Sequence, residues 1–349
     1  MSASRSLPSS LASFAGGAPP GEATRTVATP AARPSRDSSP LPSPTITLRR
    51  VTRATVAAST IPLFVDLHTH STASDGTDAP AQLVRRAKAA GLTAMALTDH
   101  DTCAGVAEAA DEARRVGLDF LPGIEVSCAY PRPGVMHLLG YGVDPHHPTL
   151  VSLCDRLQTA RHERNLFLID ALNAVGVRIN YEELLDLAGR TGVVGRPHFA
   201  KLLFLKGYIP HVNAAYKYYL GNTGRFRFDR QEPEPGEAIA AIHAAGGVVS
   251  LAHPNQLQKQ NFAQLKHEIG HLAHLGLDGV EVIYNDHRES FIAELKDLCR
   301  RHDLLMTGGS DFHGHAKKWI VLGRCGMRRR VPRKLYDRLL DRLAARRAA

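Results

Sequence analysis

Short apolar runs that break off at a histidine or an acid recur along the middle of this chain. Residues 64–67, 93–98, 120–124, 136–143, 248–252, 279–283 and 304–307 have the length and side-chain content of strands. Most are separated by stretches with helical spacing. Residues 79–90 carry Leu83, Val84 and Ala87 on one face, with Pro80 in the first turn and Gly91 at the end. Residues 106–116, 236–245, 263–275 and 289–301 read the same way. Seven strands alternating with helices predict a parallel α/β sheet. Residues 148–235 interrupt the rhythm, and helical patterns over 150–172, 181–187 and 197–206 predict an all-helical insertion there.

The polar residues that end these runs have one chemistry. The first run closes in Asp66-Leu67-His68-Thr69-His70, and the i, i+2 spacing puts both imidazoles on one face of a strand. Asp75 follows five residues past His70. The second run ends at Asp99-His100-Asp101, the third at Glu125, the fifth at His253, and the last in Ser310-Asp311-Phe312-His313. His137 is out of step, because it falls at the start of its run. A lone His-x-His would be a solvated strand end. Repetition at several strand ends points instead to the C-terminal rim of an α/β barrel, where active groups sit. Imidazole and carboxylate suit Zn, Mn or Fe. Nine such ligands exceed what one ion takes, and fit two or three ions bridged by Glu125 or Asp311. Clustered divalent ions activate water and stabilise a transferring phosphoryl group without a protein nucleophile, and no G-x-S-x-G motif is found.

Other polar residues carry blander expectations. Asp66 alternates to the opposite face and reads as structural. Asp99 and Asp101 suit turns or the orientation of an imidazole. Glu281, inside an apolar run, is a buried carboxylate of open role. His243, His271 and His274 read as surface residues, and His146, His147, His287 and His315 follow no pattern.

Composition narrows the class. The chain is 44% hydrophobic and 22% charged, enough for a globular core. Its five cysteines are scattered without a C-x-x-C pair, which argues against a disulfide framework or a zinc–thiolate site and fits a reducing, cytoplasmic setting. No apolar run is long enough for a membrane span, and no secretory signal is evident. Residues 1–60 carry +5, are rich in Ser, Pro and Ala, and are expected to be disordered; an organelle transit peptide or an early start codon would look similar. Residues 324–349 carry +8, so of the total of +9 the stretch 61–323 keeps −4, which suits a cation site. The basic end, residues 326–349, reads as a solvated arginine-rich helix rather than a nucleic-acid contact.

The ordered motifs Asp66-Leu67-His68-Thr69-His70, Thr98-Asp99-His100-Asp101, Gly123-Ile124-Glu125, Ala252-His253-Pro254 and Ser310-Asp311-Phe312-His313 resemble those of the PHP (polymerase and histidinol phosphatase) superfamily over roughly residues 61–325. The resemblance implies a distorted seven-stranded (βα) barrel, built from residues 61–147 and 236–325 around the insertion at 148–235. It also implies a trinuclear site with His68, His70, Asp75, His100, Glu125, His137, His253, Asp311 and His313 as ligands. Manganese is the expected metal, with Fe, Zn or Mg as alternatives. Ser71-Thr72-Ala73-Ser74-Asp75-Gly76 and the insertion resemble one branch, the nucleoside 3′,5′-bisphosphate phosphatases, some of which also trim RNA as 5′→3′ exoribonucleases. Gly195-Arg196-Pro197-His198-Phe199-Ala200 resembles that branch's phosphate-contacting motif, which implies substrate binding by Arg196 and His198. On spacing alone Arg196 is equally an ordinary helix-start arginine, and Lys201 and the Arg161/Arg164 pair read as a solvated helix face. The implied reaction is attack of a metal-bound hydroxide on a phosphate monoester or on the 5′-terminal phosphodiester of RNA. Two other readings compete: a histidinol-phosphate phosphatase, and a nucleic-acid-binding or regulatory module with a structural metal. The insertion speaks against the first and the full ligand set against the second. The chain has no polymerase-sized extension for a proofreading module.

Overall fold

The computed structural model describes residues 62–189, 193–220, 225, 226, 228 and 231–348. The disorder expected for residues 1–60 lies outside the described residues. One eight-stranded sheet curls around the core, in the order β7-β6-β5-β4-β3-β2-β1-β8. The strands are β1 (Phe64–Asp66), β2 (Ala94–Leu97), β3 (Asp119–Cys128), β4 (Met136–Tyr141), β5 (Val248–Leu251), β6 (Gly279–Ile283), β7 (Leu305–Gly308) and β8 (Val331–Pro332). Around it lie α1 (Pro80–Ala89), α2 (Val106–Val116), α7 (Pro235–Ala244), α8 (Phe262–His274) and α9 (Glu289–Arg301).

The sheet is not uniformly parallel, which corrects the sequence expectation. β1–β2–β3 and β5–β6–β7 are parallel, but β4 runs antiparallel to both β3 and β5. The cause is the short connection 129–135, which holds no helix. A parallel return needs a crossover of a dozen or more residues. The reversal also places His137. On β4 it is the N-terminal end that reaches the rim where the parallel strands finish, and His137 pairs there with Ser127 near the end of β3. The eighth strand, β8, was not expected. It is two residues long, too short for periodicity to register, and pairs antiparallel with β1.

The barrel closes at the rim. Beyond their strands β1 and β7 bond directly, Asp311 N to His68 O and His70 N to Phe312 O, both at 2.9 Å. Gly309 permits this approach, since a Cβ there would lie 2.3 Å from that of His68. The opposite end is plugged by α10 (Arg333–Ala348), whose Leu335, Tyr336, Leu339 and Leu343 join the core beneath β1 and β5. Its basic residues are not simply solvated. Arg333 pairs with Asp119, Arg346 with Asp278 (2.7 Å), and Arg347 donates to Gly142 O (2.9 Å).

The insertion contains α3 (Pro148–Ala174), α4 (Tyr181–Leu187), α5 (Arg196–Leu205) and α6 (Val212–Ala215), followed by a π-turn at Tyr216–Leu220. α3 spans two cores. Leu150, Leu153 and Leu157 belong to the barrel cluster, while Leu168 and Leu172 pack with Leu184, Phe199 and Leu203 in a separate helical cluster. The expectation of a solvated Arg161/Arg164 face fails at Arg161. It is buried and ion-paired with Asp101, because it lies on the same stripe as Leu157, Asn165 and Leu168.

Candidate metal centre

All nine candidate ligands converge at the rim. Their ligand atoms fall into four overlapping sets, each within 4.8 Å: His70, Asp75, His100 and His313; His68, Glu125 and His253; His68, His70 and Asp311; and His100, Glu125 and His137. Glu125 lies at the centre with no solvent exposure. Its Oε1 faces His137 Nδ1 and His253 Nε2, both at 2.9 Å. Its Oε2 faces His100 Nδ1 (2.9 Å), His70 Nε2 (3.2 Å) and His68 Nε2 (3.3 Å). Asp311 Oδ1 lies 3.2 Å from His70 Nε2 and 3.5 Å from His68 Nε2. Asp75 closes the third side, 3.3 Å from His313 Nε2.

Seven buried polar atoms of this cluster have no hydrogen-bond partner: His68 Nε2, both ring nitrogens of His70, Asp75 Oδ1, His100 Nδ1, Glu125 Oε2 and His253 Nδ1. Buried polar atoms are normally satisfied, and each one left unpaired is costly. Those here belong to N/O donors, most of which face one another, and such a set fits divalent cations. The protonation pattern is split between the two halves of the cluster. Burial alone would raise the carboxyls, yet the imidazoles of His100, His68 and His137 hold Glu125 well below the usual range. Asp75 is held down against burial by His313 and His100, and Asp311 by Lys317 and His313. Burial pushes His137 and His313 down to about 4, which leaves them neutral, whereas against burial Glu281 and Glu125 hold His68 well above its ordinary range and Asp311 and Glu125 hold His70 at about 9, so a cation entering there would displace a proton.

Outer contacts fix the candidate ligands. Glu281, of open role in the sequence, bonds His68 Nδ1 (3.0 Å) and accepts from His253 N (2.8 Å). Asp66 braces the closing loop by accepting from Ser310 N (2.9 Å), Ser310 Oγ (2.6 Å) and Gly323 N (2.7 Å). Asp99 accepts from Ser71 and Ser74, which shapes the loop that carries Asp75. Asp101 accepts from Ser127 N (2.8 Å) besides pairing with Arg161. Lys317 Nζ and Tyr284 OH both donate to Asp311 Oδ2, each at 2.9 Å, and leave Oδ1 to the histidines. Sequence reasoning missed both; each lies outside any periodic pattern, and only the fold brings it to Asp311. Three non-glycine residues here adopt positive φ: Asp101 (56°), His253 (27°) and Asp311 (57°). Such conformations cost about 1–3 kcal/mol each and gather at functional sites.

The other histidines separate clearly. His243 is not a surface residue, since it bonds Asp278 (2.9 Å) below the barrel. His287 is buried between Val282 O and Asn255. His271 and His274 are exposed as expected. The insertion reaches the rim at the start of α5. Gly195 lies against Asp75, where a Cβ would come within 3.5 Å of that residue's Cβ. His198 is buried beside it, with Nδ1 accepting from Gly195 N (2.9 Å). Arg196 Nη1 lies 3.5 Å from Leu220 O.

A curled α/β sheet with imidazoles and carboxylates clustered on its rim defines a metal-dependent hydrolase. The chain belongs to the PHP domain family, whose model matches residues 66–346 and so takes in α10 as well as the barrel. It is 35% identical over 260 residues to a 5′-3′ exoribonuclease of Haemophilus influenzae, covering 74% of this chain and 93% of that one. It is 33% identical to a phosphoribosyl 1,2-cyclic phosphate 1,2-diphosphodiesterase of Eggerthella lenta (72% and 95% covered). It is 31% identical to a 3′,5′-nucleoside bisphosphate phosphatase of Chromobacterium violaceum (71% and 87%). A solved structure from Bifidobacterium adolescentis, described as a metal-dependent phosphoesterase, superposes with a TM-score of 0.71 at 29% identity, covering 82% of this chain and 98% of that one. This protein is accordingly a metal-dependent phosphoesterase. Among the described residues no helix is long and apolar enough to cross a membrane.

Proposed function

We propose that this enzyme hydrolyses phosphate from nucleoside 3′,5′-bisphosphates, removes nucleotides from the 5′ end of RNA, or does both. It would work with three divalent ions, manganese foremost, held by the nine rim residues. Bound there, such ions would polarise phosphoryl oxygens and bring the pKa of water near neutrality. Two relatives are named for these two activities.

The observation that carries the reading is the docking of the α5 start against Asp75. It brings Gly195 and its partner His198 to the candidate ligand Asp75, and in this reading the neighbouring Arg196 would meet a second phosphate of the same substrate there. Because His198 Nδ1 accepts from Gly195 N, its Nε2 keeps the proton and serves as a neutral donor. Burial lowers its pKa and preserves that form. Arg196 adds a planar, permanently charged fork suited to phosphate. Glu125 turns one oxygen to each group of imidazoles and would be suited to hold ions on both sides. Lys317 and Tyr284 hold Asp311 in one orientation.

The test is phosphate or mononucleotide release by the manganese-loaded protein from four substrates in parallel. These are adenosine 3′,5′-bisphosphate, a 5′-phosphorylated RNA oligomer, histidinol phosphate and phosphoribosyl 1,2-cyclic phosphate. Turnover of either of the first two supports the proposal. Turnover of histidinol phosphate alone, or of the cyclic phosphate alone, overturns it.

A further inference from the structure

We propose that the cleft between α3, α4 and residues 193–194 seats the nucleobase of the substrate; this rests on the nucleotide reading above. The cleft has a volume of about 240 Å³ and is lined by Gln158, Arg161, His162, Asn165, Tyr181 and Val194, among others. Sites that enclose a whole drug-sized ligand span about 300–1,000 Å³, so this one suits a single ring system.

Its position follows from two sets of bonds. On one side Gln158 Nε2 donates to Asp101 O (3.4 Å) and Arg161 pairs with the Asp101 carboxylate. Asp101 directly follows the candidate ligand His100. On the other side Asn165 Nδ2 donates to Val194 O (2.9 Å), and Val194 directly precedes Gly195-Arg196. The cleft is therefore tied both to the metal rim and to the turn that would hold the second phosphate. In a nucleoside 3′,5′-bisphosphate the base departs from the same ribose that carries both phosphates.

The lining matches a base better than a third phosphate. The charge of Arg161 is balanced by buried Asp101, so the cleft offers no net cation. Gln158 brings a side-chain amide, a group that pairs with base edges, to the lining. Tyr181 and His162 supply rings at the outer wall, 5.0 Å apart and at 75°, locked by His162 Nδ1 to Tyr181 OH at 3.0 Å. Aromatic walls of this kind stack on bases of any sequence. The larger cavity of about 810 Å³ between α3 and α7 touches neither the rim nor the α5 turn.

The test compares kcat/KM for deoxyadenosine 3′,5′-bisphosphate with that for its tetrahydrofuran abasic analogue, in wild type and in Tyr181→Ala. The wild type should prefer the base-bearing compound by at least about tenfold, and Tyr181→Ala should bring the ratio close to one. Should Tyr181→Ala not fold, His162→Ala, at an exposed position, gives the same ratio test. A wild-type ratio near one, or a ratio unmoved in the variant, overturns the nucleobase seat while leaving the bisphosphate activity standing. Metal-loaded wild type that hydrolyses neither compound overturns the substrate class, and the base seat with it.

Discussion

Glu281 lies on β6 with no solvent exposure and splits its oxygens between His68 Nδ1 at 3.0 Å and the His253 N–H at 2.8 Å. A carboxylate accepts only, so the first contact keeps a proton on Nδ1 and makes Nε2, which faces Glu125 and Asp311, the nitrogen for ligation. Glu281→Gln keeps the shape and removes one acceptor. If the amide oxygen serves the His253 N–H, the NH₂ group faces His68 Nδ1. The ring must then carry its proton on Nε2, the nitrogen needed for ligation. If the oxygen stays with His68, two donors confront each other in a dry space, at a cost of about 1–3 kcal/mol. Removing the outer partner of a ligating histidine typically lowers metal affinity about 10- to 100-fold, which is about 1.4–2.7 kcal/mol. The two routes thus agree in size. The assay is manganese competition against a fluorescent chelator, with thermal melting of the metal-free variant as a fold control. Metal affinity should fall by one to two orders of magnitude. Wild-type affinity in a folded Glu281→Gln protein would refute the claim that Glu281 sets the His68 tautomer.

Arg196→Ala should raise KM for adenosine 3′,5′-bisphosphate by roughly tenfold or more, since hydrogen bonds to charged groups contribute about 1.5–3 kcal/mol. Bound metal per chain, read by elemental analysis, should not change, and unchanged kinetics would remove Arg196 from the site. Leu343, 1% exposed on α10, packs against Gly142, so Leu343→Ala should destabilise by about 2–5 kcal/mol in urea unfolding. A near-zero loss would mean that α10 is not the plug. Asp278 is buried, which raises its carboxyl, but His243, the Val249 N–H and Arg346 outweigh burial and hold it below its ordinary 3.8. Its contribution to stability is therefore complete above pH 3.8 and is lost as pH falls through the lower folded value. Asp278→Asn should melt earlier than wild type at neutral pH, with the gap narrowing below that point; a gap constant with pH would contradict the assignment.

Much of the rim was legible in the sequence because strands impose a simple rule. His68 and His70 share a face by the two-residue period, and His100, Glu125, His253 and Asp311 each stand where an apolar run ends. His137 looked misplaced only because every strand was expected to be parallel. The helix-free connection before β4 was the available signal for reversal. Glu281 was visible as a carboxylate in an apolar run, but its partners His68 and His253 come from other strands. Lys317 and Tyr284 left no signal, since the loops that carry them take their shape from barrel closure. Arg161 sits in step with Leu157, Asn165 and Leu168, and that spacing foretold burial more reliably than its charge foretold solvent. The barrel was expected to end near residue 325, whereas the family match runs on to 346, because the apolar stripe of α10 is interleaved with arginines. The family resemblance supplied what spacing could not, the expectation of three ions rather than two.

The central claim is that this rim holds the divalent ions on which phosphoester hydrolysis depends. The most direct measurement is phosphate release from adenosine 3′,5′-bisphosphate by chelator-stripped protein as manganese is added back, with bound metal counted by elemental analysis at each point. Activity should be absent in the stripped protein, rise with occupancy and level off near three ions per chain, and Asp311→Ala should bind fewer ions and stay inactive. Full activity in the stripped protein, or wild-type metal binding and turnover in Asp311→Ala, would contradict the account.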